Sequence, residues 1–138
     1  MTPEDKELLL KDLCGRLPYG TKVKCHFDSE PYTLLSIDWN KEIVVIGFMM
    51  DDTYVTSKQR LVNIKPYLRP MSSITEEENV ILSLSQIYAF THFNEIAKMD
   101  WFNEHHFDHR GLIYRGLAIE VTEDNNPYKD RHDKRRTH

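Results

Sequence analysis

Side chains capable of chemistry are most concentrated between Glu104 and Arg110, inside the sequence WFNEHHFDHRGLIYRGLAIE at 101–120. Three histidines, two acidic residues and one arginine fall within these seven positions, with apolar residues on both sides. Imidazoles and carboxylates are common ligands of divalent metals and common carriers of protons. We call residues 104–110 the histidine stretch and treat it as the first candidate for a functional site.

A metal site follows if residues 101–110 form one helix. His105 and His109 then stand four residues apart on one helix face, a spacing that can bind a divalent ion. Asp108 or His92 would supply a further ligand, and such a centre would define a metal-dependent hydrolase. The pattern is nonspecific, because the sequence has no HExxH motif and no cysteine pair near these residues. Packing, capping and surface roles are therefore the favoured interpretation of the histidines.

A second arrangement places the two histidines in different elements. Asp108 is of the residue type that caps a helix N-terminus, and Gly116 is of the type that ends a helix. A short helix from His109 to Arg115 fits this pattern. In that case the four-residue spacing carries no information about a metal.

The same short helix would complete a helix-turn-helix unit over residues 76–117, which predicts DNA binding as another alternative. The side chains offered to DNA would be Arg110, Tyr114 and Arg115. The preceding helices are acidic, and Gly111 would weaken the helix that must enter the groove. DNA binding is therefore the less favoured interpretation.

Other catalytic motifs are missing from the sequence. It contains no GxxxxGK, GxGxxG, GxSxG or CxxC pattern. Cys25 and His26 are neighbours, but adjacent residues of a strand point to opposite faces, so we do not expect them to meet. The sequence therefore favours a noncatalytic protein without a cofactor.

Composition and charge limit the class of protein further. The chain has 138 residues, which fits one domain, and a formal net charge of −4, which argues against a general positive field for nucleic acid. The acidic N-terminus lacks signal-peptide features, and the longest apolar run, Ile43 to Met50, is too short to span a membrane. The two cysteines have no framework spacing. These features predict a cytoplasmic protein with no membrane partner.

The N-terminal half predicts one helix followed by antiparallel strands. Thr2 and Pro3 are typical of a helix start, and leucines recur at helical spacing up to Leu17. Alternating residues predict strands from residue 22 to residue 64, with two-residue hairpin loops at Asn40-Lys41 and Asp51-Asp52. The predicted sheet is a meander of four or five strands, which a strong curl would close into a small barrel.

Three finer predictions concern packing in this half. Leu35, Ile37 and Trp39 are expected to point into the core from the second strand. The strand from Ile43 to Met50 is apolar on both faces, which predicts a central strand covered on both sides. Residues 65–70 contain two prolines and are expected to form a stiff connector outside the sheet.

The C-terminal half is predicted to be helical. Thr75 and Glu78 form a capping box before a helix that runs to about residue 90. Its predicted apolar stripe consists of Val80, Ile81, Leu84, Ile87 and Tyr88. A further helical segment is expected through Trp101, so that two or three helices pack on the sheet. We predict an α+β domain over residues 1–121 and a mobile basic tail over residues 122–138.

Three stretches together resemble a group of short, uncharacterised proteins carried by phages and integrated elements of gut bacteria. They are LLLKDLCGRLPYG at 8–20, KPYLRPMSSITEEE at 65–78 and WFNEHHFDHRGLIYRGLA at 101–118. The resemblance covers most of the chain and brings no catalytic residues. It implies an accessory protein in an infected or lysogenic bacterium, which would bind a host protein or sequester a nucleotide signal of host defence.

A nucleotide ligand would need aromatic stacking and basic contacts to its phosphates. The candidates for these roles are Tyr67, Arg69, Arg110, Tyr114 and Arg115. Without a ligand, Tyr114 would be a core residue and the arginines would pair with the many acidic residues. The favoured interpretation is a noncatalytic binding protein for a host protein or a small nucleotide, with homo-oligomerisation left open and a metal-dependent hydrolase as the rival.

Overall fold

A computed structural model describes residues 1–88 and 95–129, apart from the side chains of 84–88 and 95–96. Within these ranges the chain forms three helices and one six-stranded sheet, which confirms the α+β class. The helices are α1 (Pro3–Arg16), α2 (Glu76–Tyr88) and α3 (Glu95–Glu104). The strands are β1 (Lys22–Cys25), β2 (Pro31–Asp38), β3 (Ile43–Met50), β4 (Thr53–Arg60), β5 (Ile64–Leu68) and β6 (Ile119–Glu120).

The sheet is open and has the strand order β4-β3-β2-β1-β5-β6. Strands β1 to β5 pair antiparallel, whereas β5 and β6 pair parallel. After β4 a short 3-10 turn, Leu61–Asn63, carries the chain back to the far side of β1. The predicted meander of four or five strands is therefore too simple, and the predicted barrel is wrong because β4 and β6 stay at opposite edges.

Helix α1 covers one face of the sheet. The Thr2 hydroxyl accepts a hydrogen bond from the Asp5 amide at 3.1 Å, which confirms the predicted cap. Leu9, Leu10 and Leu13 are buried in the main core against the inward residues of the strands. The helical spacing of the leucines therefore predicted this face correctly. None of the helices in residues 1–88 and 95–129 is long and apolar enough to span a bilayer.

Strand β2 contains a bulge between Leu34 and Ser36. Tyr32 and Leu34 point into the core before the bulge, and Ile37 packs against the core after it. Leu35 and Trp39 are instead exposed, so the prediction that they point inward is wrong. The extra residue changes which face each side chain lies on, and simple alternation does not reveal such a change.

Among residues 1–88 and 95–129, strand β3 is covered on one face only. Val44 and Ile46 are fully buried in the core, whereas Met49 and Met50 are exposed near the end of the strand. The prediction that both faces are covered is wrong because β3 lies next to the edge strand and α1 packs on only one side. An apolar run therefore marks a partly uncovered surface here.

Residues 65–70 do not form a connector outside the sheet. Most of them belong to β5, which pairs with β1 on one side and with β6 on the other. Pro66 lies opposite Val23 in this interior strand. The connector prediction failed because proline usually marks strand edges, and only the neighbouring elements can compensate for its missing N–H.

The two predicted hairpin loops have different outcomes. Asp51 and Asp52 have φ values of 49° and 67° between paired strand ends, which confirms the two-residue turn. The other loop spans residues 39–42, and its left-handed residue is Glu42 with a φ of 54°. The prediction of a two-residue turn at Asn40-Lys41 is therefore wrong.

The capping box of α2 is confirmed. The Glu78 carboxylate accepts from the Thr75 amide at 3.0 Å, and the Thr75 hydroxyl accepts from the Glu78 amide at 3.1 Å. Val80 and Ile81 are exposed, so their predicted place in the apolar stripe is wrong, and the buried residue of this turn is Leu82. The side chains of Leu84, Ile87 and Tyr88 lie outside the described part of the chain. Leu82 joins a second core cluster with Phe102 and Phe107.

Candidate functional site

The histidine stretch does not form a single helix. Helix α3 ends at Glu104, and His106 adopts a left-handed φ of 64°. The backbone then runs beside Arg69: the Arg69 amide donates to the His106 carbonyl at 2.7 Å, and the Asp108 amide donates to the Arg69 carbonyl at 2.8 Å. The one-helix interpretation of residues 101–110 is therefore wrong, and the four-residue spacing of the histidines has no structural meaning.

Each candidate metal ligand has a different internal partner. The Nδ1 atom of His105 lies 2.9 Å from the Trp101 carbonyl, and its ring stacks on the Trp101 indole at 4.2 Å. The Nε2 atom of His109 lies 2.8 Å from the Asn103 Oδ1 atom. Across the described residues no group of three His, Cys, Asp or Glu side chains could hold a metal ion. His92 lies outside the described residues.

Asp108 caps a turn. Its two carboxylate oxygens accept hydrogen bonds from the amides of Leu112 and Ile113 at 2.8 and 2.9 Å. Residues 112–116 form turns, and residues 109–115 are not helical. The predicted short helix is therefore wrong, and the helix-turn-helix interpretation of residues 76–117 loses its recognition helix.

The three candidate arginines are all paired with carboxylates of the chain itself. Arg69 binds both oxygens of Glu78 at 2.7 and 2.8 Å, and these hydrogen bonds lower the pKa of Glu78 to about 2. Its guanidinium also lies 4.0 Å from the centre of the Phe107 ring. Two further ion pairs join Arg110 to Asp12 at 3.4 Å and Arg115 to Asp5 at 3.0 Å.

The two candidate tyrosines lie in opposite environments. Tyr67 is buried in β5, and burial raises the pKa of its hydroxyl. Tyr114 is 96% exposed, so its predicted alternative place in the core is wrong. With Arg69 bound to α2, and Arg110 and Arg115 bound to α1, the five candidates do not form one ligand site.

A buried ion pair that sequence reasoning missed holds the histidine stretch against α1. Asp12 and Arg16 are both 0% exposed, and the Arg16 Nε atom lies 2.7 Å from the Asp12 Oδ2 atom. Arg16 Nη2 also donates to the Phe107 carbonyl at 2.6 Å. The four-residue spacing of acid and base was visible in the sequence, but Glu7 and Lys11 have the same spacing and remain exposed.

Tyr128 lies beyond the predicted domain end at residue 121 and still contacts the sheet. Its hydroxyl donates to the Tyr67 carbonyl at 2.7 Å and accepts from the Lys22 amide at 3.0 Å. These bonds bridge β1 and β5 next to Pro66, where the strand ladder ends. Residues 130–138 of the predicted mobile tail lie outside the described residues.

The ring of Tyr128 stacks on His106, with centroids 3.6 Å apart and planes 9° from parallel. Burial, together with the positive charge of Arg16, lowers the pKa of His106 to about 4. Burial also raises the pKa of Tyr128. Both rings are therefore neutral near neutral pH and act as parts of the packing.

Cys25 and His26 come closer than their adjacency in a strand predicts. Strand β1 ends at Cys25, so His26 lies in the following turn and the alternation of faces no longer applies. The Cys25 Sγ and His26 Nδ1 atoms are 3.8 Å apart. The thiol is fully buried, which leaves a substrate no access to it as a nucleophile.

The sheet face opposite α1, which we call the open face, presents exposed apolar side chains. Gly47 lies on this face, and a Cβ atom there would stand 2.7 Å from Tyr54 Cε1 and 2.8 Å from Leu35 Cδ1. Leu35, Met49 and Tyr54 are 36%, 62% and 47% exposed. The glycine therefore allows Leu35 and Tyr54 to close over the strand, with Met49 beside them in register with Tyr54.

A cleft of about 630 Å³ lies on the open face. Its chemically distinct lining residues are Lys22, Asp28, Glu30, Tyr54 and Lys129. The Asp28 carboxylate accepts a hydrogen bond from the Tyr32 hydroxyl at 2.6 Å, which lowers the pKa of Asp28 and raises that of Tyr32 to about 12. The volume suits a small ligand, but the lining combines both signs of charge.

Lysines gather beside the apolar part of the open face. Lys24 of β1 lies directly opposite Lys65 of β5, and Lys22 lies two residues away on the same face. Like charges opposite each other destabilise a sheet. This basic patch is notable because the whole chain has a net charge of −4.

Comparison with known proteins gave no relative. No protein-family model, curated protein or solved structure matches the chain. The functional argument below is therefore based on the geometry of the open face and on the side chains that the fold leaves available there.

Proposed function

We propose that the chain is a noncatalytic binding protein that recognises an acidic surface of a partner protein through its open face. The observation that carries this proposal is the exposure of Leu35, Met49 and Tyr54 together over Gly47, next to the basic patch. Methionine and tyrosine are enriched in protein interfaces, and contiguous exposed apolar groups mark such surfaces.

The charges favour a protein over a nucleotide. A nucleotide site needs cations that converge on phosphate groups, and the candidate arginines are each paired with a carboxylate of the fold. Asp28 and Glu30 in the cleft would also repel a phosphate. A partner with acidic side chains around an apolar anchor complements the apolar patch and the opposed Lys24 and Lys65.

The resemblance to phage and prophage accessory proteins supports a host protein as this partner. In this proposal the chain acts in the cytoplasm of an infected bacterium and counteracts a host defence by occupying the surface of a host protein. Binding needs no cofactor, since recognition depends on apolar contact and charge complementarity alone.

The proposal is tested by capture of partners from host lysate on the immobilised wild-type protein and three variants. Met49→Ser and Leu35→Ser remove apolar contacts from the open face, whereas the matched control Tyr114→Ser removes an aromatic group that is exposed elsewhere. We expect an identified partner to bind at least about tenfold more weakly to the first two variants, as for residues at the centre of an interface.

Affinity for the purified partner should also fall with rising salt and fall further in a Lys24→Glu variant. Equal affinities for wild type, Met49→Ser and Leu35→Ser would overturn the proposal. Calorimetric binding of a cyclic or linear nucleotide at micromolar affinity would replace it with a nucleotide-binding function.

A further inference from the structure

Strand β4 is a long, regular edge strand. All eight of its residues pair with β3 without a bulge, and its sequence TYVTSKQR contains neither proline nor glycine. No strand within the described ranges pairs with its outer edge. Such an edge presents a row of backbone donors and acceptors to any strand that approaches it.

The hairpin before β4 determines which backbone groups point outward. The two-residue turn at Asp51-Asp52 makes Met50 and Thr53 a hydrogen-bonded pair, and bonded and nonbonded pairs then alternate along the ladder. Residues 53, 55, 57 and 59 therefore bond to β3. Residues 54, 56, 58 and 60 direct their N–H and C=O groups away from the sheet.

The side chains of β4 are self-complementary in one antiparallel register. Residues directly opposite each other share a face of the sheet. A twofold axis perpendicular to the sheet places one residue of β4 opposite the same residue of the second copy and passes midway between the two, and we name the axis by that residue. With the axis at Thr56, Tyr54 lies opposite Lys58 of the second copy, and Thr56 lies opposite Thr56. Asp52 in the turn then lies beside Arg60 of the second copy, and symmetry repeats this pairing of opposite charges.

The neighbouring register, with the axis at Ser57, is less favourable. It would place Tyr54 opposite Arg60 and Thr56 opposite Lys58, and Asp52 would have no cation opposite it. Opposite charges and paired threonines each stabilise antiparallel neighbours. The sequence of the edge therefore favours the axis at Thr56.

We propose that the chain forms a symmetric dimer through antiparallel pairing of β4 with β4 of a second copy, with the twofold axis at Thr56. The pairing joins the two sheets into one continuous sheet and removes an exposed edge from each copy. Both open faces then point in the same direction. This dimer is independent of the identity of any partner, and it would give a partner with repeated sites two binding surfaces.

Sedimentation or light scattering over micromolar concentrations measures the association directly. We expect a dimer for the wild type, a monomer for Thr56→Pro and a dimer for the control Thr56→Ala. Proline removes the outward N–H of residue 56 and leaves the bonds to β3 in place. A wild-type protein that stays monomeric across this whole concentration range would overturn the proposal.

A charge exchange provides a second test that does not depend on a proline in a strand. Arg60→Glu should weaken the dimer at least about tenfold through repulsion of Asp52. The double variant with Asp52→Lys should recover affinity relative to either single variant. A lysine at the left-handed residue 52 is strained in both the Asp52→Lys single variant and the double variant. The strain therefore cancels when the affinities of these two proteins are compared. Failure of the double variant to recover affinity would contradict the proposed register.

Disulfide trapping also distinguishes the two registers. In a Cys14→Ser background, which removes the exposed native thiol, Thr56→Cys should give a covalent dimer on mild oxidation. Opposed Cα atoms in a hydrogen-bonded pair are about 5.5 Å apart, within disulfide reach. Ser57→Cys is the matched control and should stay monomeric under denaturing conditions, and trapping at residue 57 alone would overturn the axis at Thr56.

Discussion

The histidine stretch and the open face differ in what the fold does with their side chains. In the histidine stretch His105, Asp108 and His109 each contact a group of the fold itself. On the open face Leu35 and Met49 stay exposed, although Leu35 lies over Gly47. The density of chemically capable residues therefore marks a place where elements of the fold meet, and the exposed apolar surface lies where the sequence looked ordinary.

The physical reason for this difference is burial. The histidine stretch lies where α1, α3 and β5 meet, and a buried polar group is costly unless it is hydrogen-bonded. The polar side chains there form hydrogen bonds with each other and with the backbone, as Arg16 does with the Phe107 carbonyl. The exposed side chains of the open face do not have to meet this hydrogen-bonding requirement.

Removal of Arg16 should have the largest effect on stability. Arg16→Met removes the closest partner of the buried Asp12 carboxylate and leaves it only Arg110 at 3.4 Å. The Phe107 carbonyl keeps only the His109 amide at 3.2 Å, so we expect a loss of about 3–5 kcal/mol in the free energy of unfolding. Urea denaturation measures this change. The control Lys11→Met breaks an exposed ion pair on the same helix and should cost less than about 1 kcal/mol. Equal losses in the free energy of unfolding for the two variants would show that the buried Asp12–Arg16 pair does not stabilise the contact between α1 and the histidine stretch.

The junction should also weaken in acid. Burial lowers the pKa values of His106 and His109 to about 4 from 6.5, so the unfolded state binds protons that the folded state does not. The resulting stability is fully present above pH 6.5 and is lost as the pH falls toward 4, at about 1–3 kcal/mol for each ring. Urea midpoints between pH 4 and 8 measure the change.

His106→Asn should flatten this pH dependence, and asparagine tolerates the left-handed backbone at this position. Glu78 contributes in a different range, because its stabilisation is lost only as the pH falls from 4.5 toward 2. A pH profile that is unchanged in His106→Asn would contradict the assignment of the upper range to this histidine.

Tyr128→Phe should have an intermediate effect. The substitution keeps the stacking on His106 but leaves the Lys22 amide and the Tyr67 carbonyl without the hydroxyl that joins them. We expect a loss of about 1–3 kcal/mol and faster hydrogen exchange at the Lys22 amide. Wild-type exchange at that amide would show that the segment around Tyr128 does not secure the sheet.

The smallest effect on stability is expected on the open face. Met49→Ser removes an exposed side chain that is 62% accessible, so the free energy of unfolding should change by less than about 0.5 kcal/mol. Urea denaturation checks this value beside the partner-binding assay. A loss above about 2 kcal/mol would show that Met49 supports the fold and would weaken its assignment to recognition.

Local signals in the sequence predicted local structure well. Thr2, the Thr75–Glu78 capping box and the Asp51-Asp52 turn depend on contacts within a few residues, and each is confirmed. Predictions that depended on distant partners did less well. The bulge in β2 and the interior place of Pro66 arise from pairing with other strands, which local patterns do not reveal.

The candidate site was predictable only in part for the same reason. The arginines were visible as candidates, but their carboxylate partners lie at separations of up to 110 residues. Tyr128 carried no signal of its role because its partners, Lys22 and Tyr67, belong to two different strands. The apolar run of β3 was visible, but the absence of a cover over its outer face in the described residues was not.

The sequence by itself determined the α+β class, the N-terminal caps of α1 and α2 and the residues of α1 that face the core, because these follow from periodicity and short-range hydrogen bonds. The tertiary structure decided which polar groups are hydrogen-bonded or ion-paired inside the fold and which apolar groups remain exposed. That distinction depends on burial, and burial is a property of the assembled elements and of no single segment.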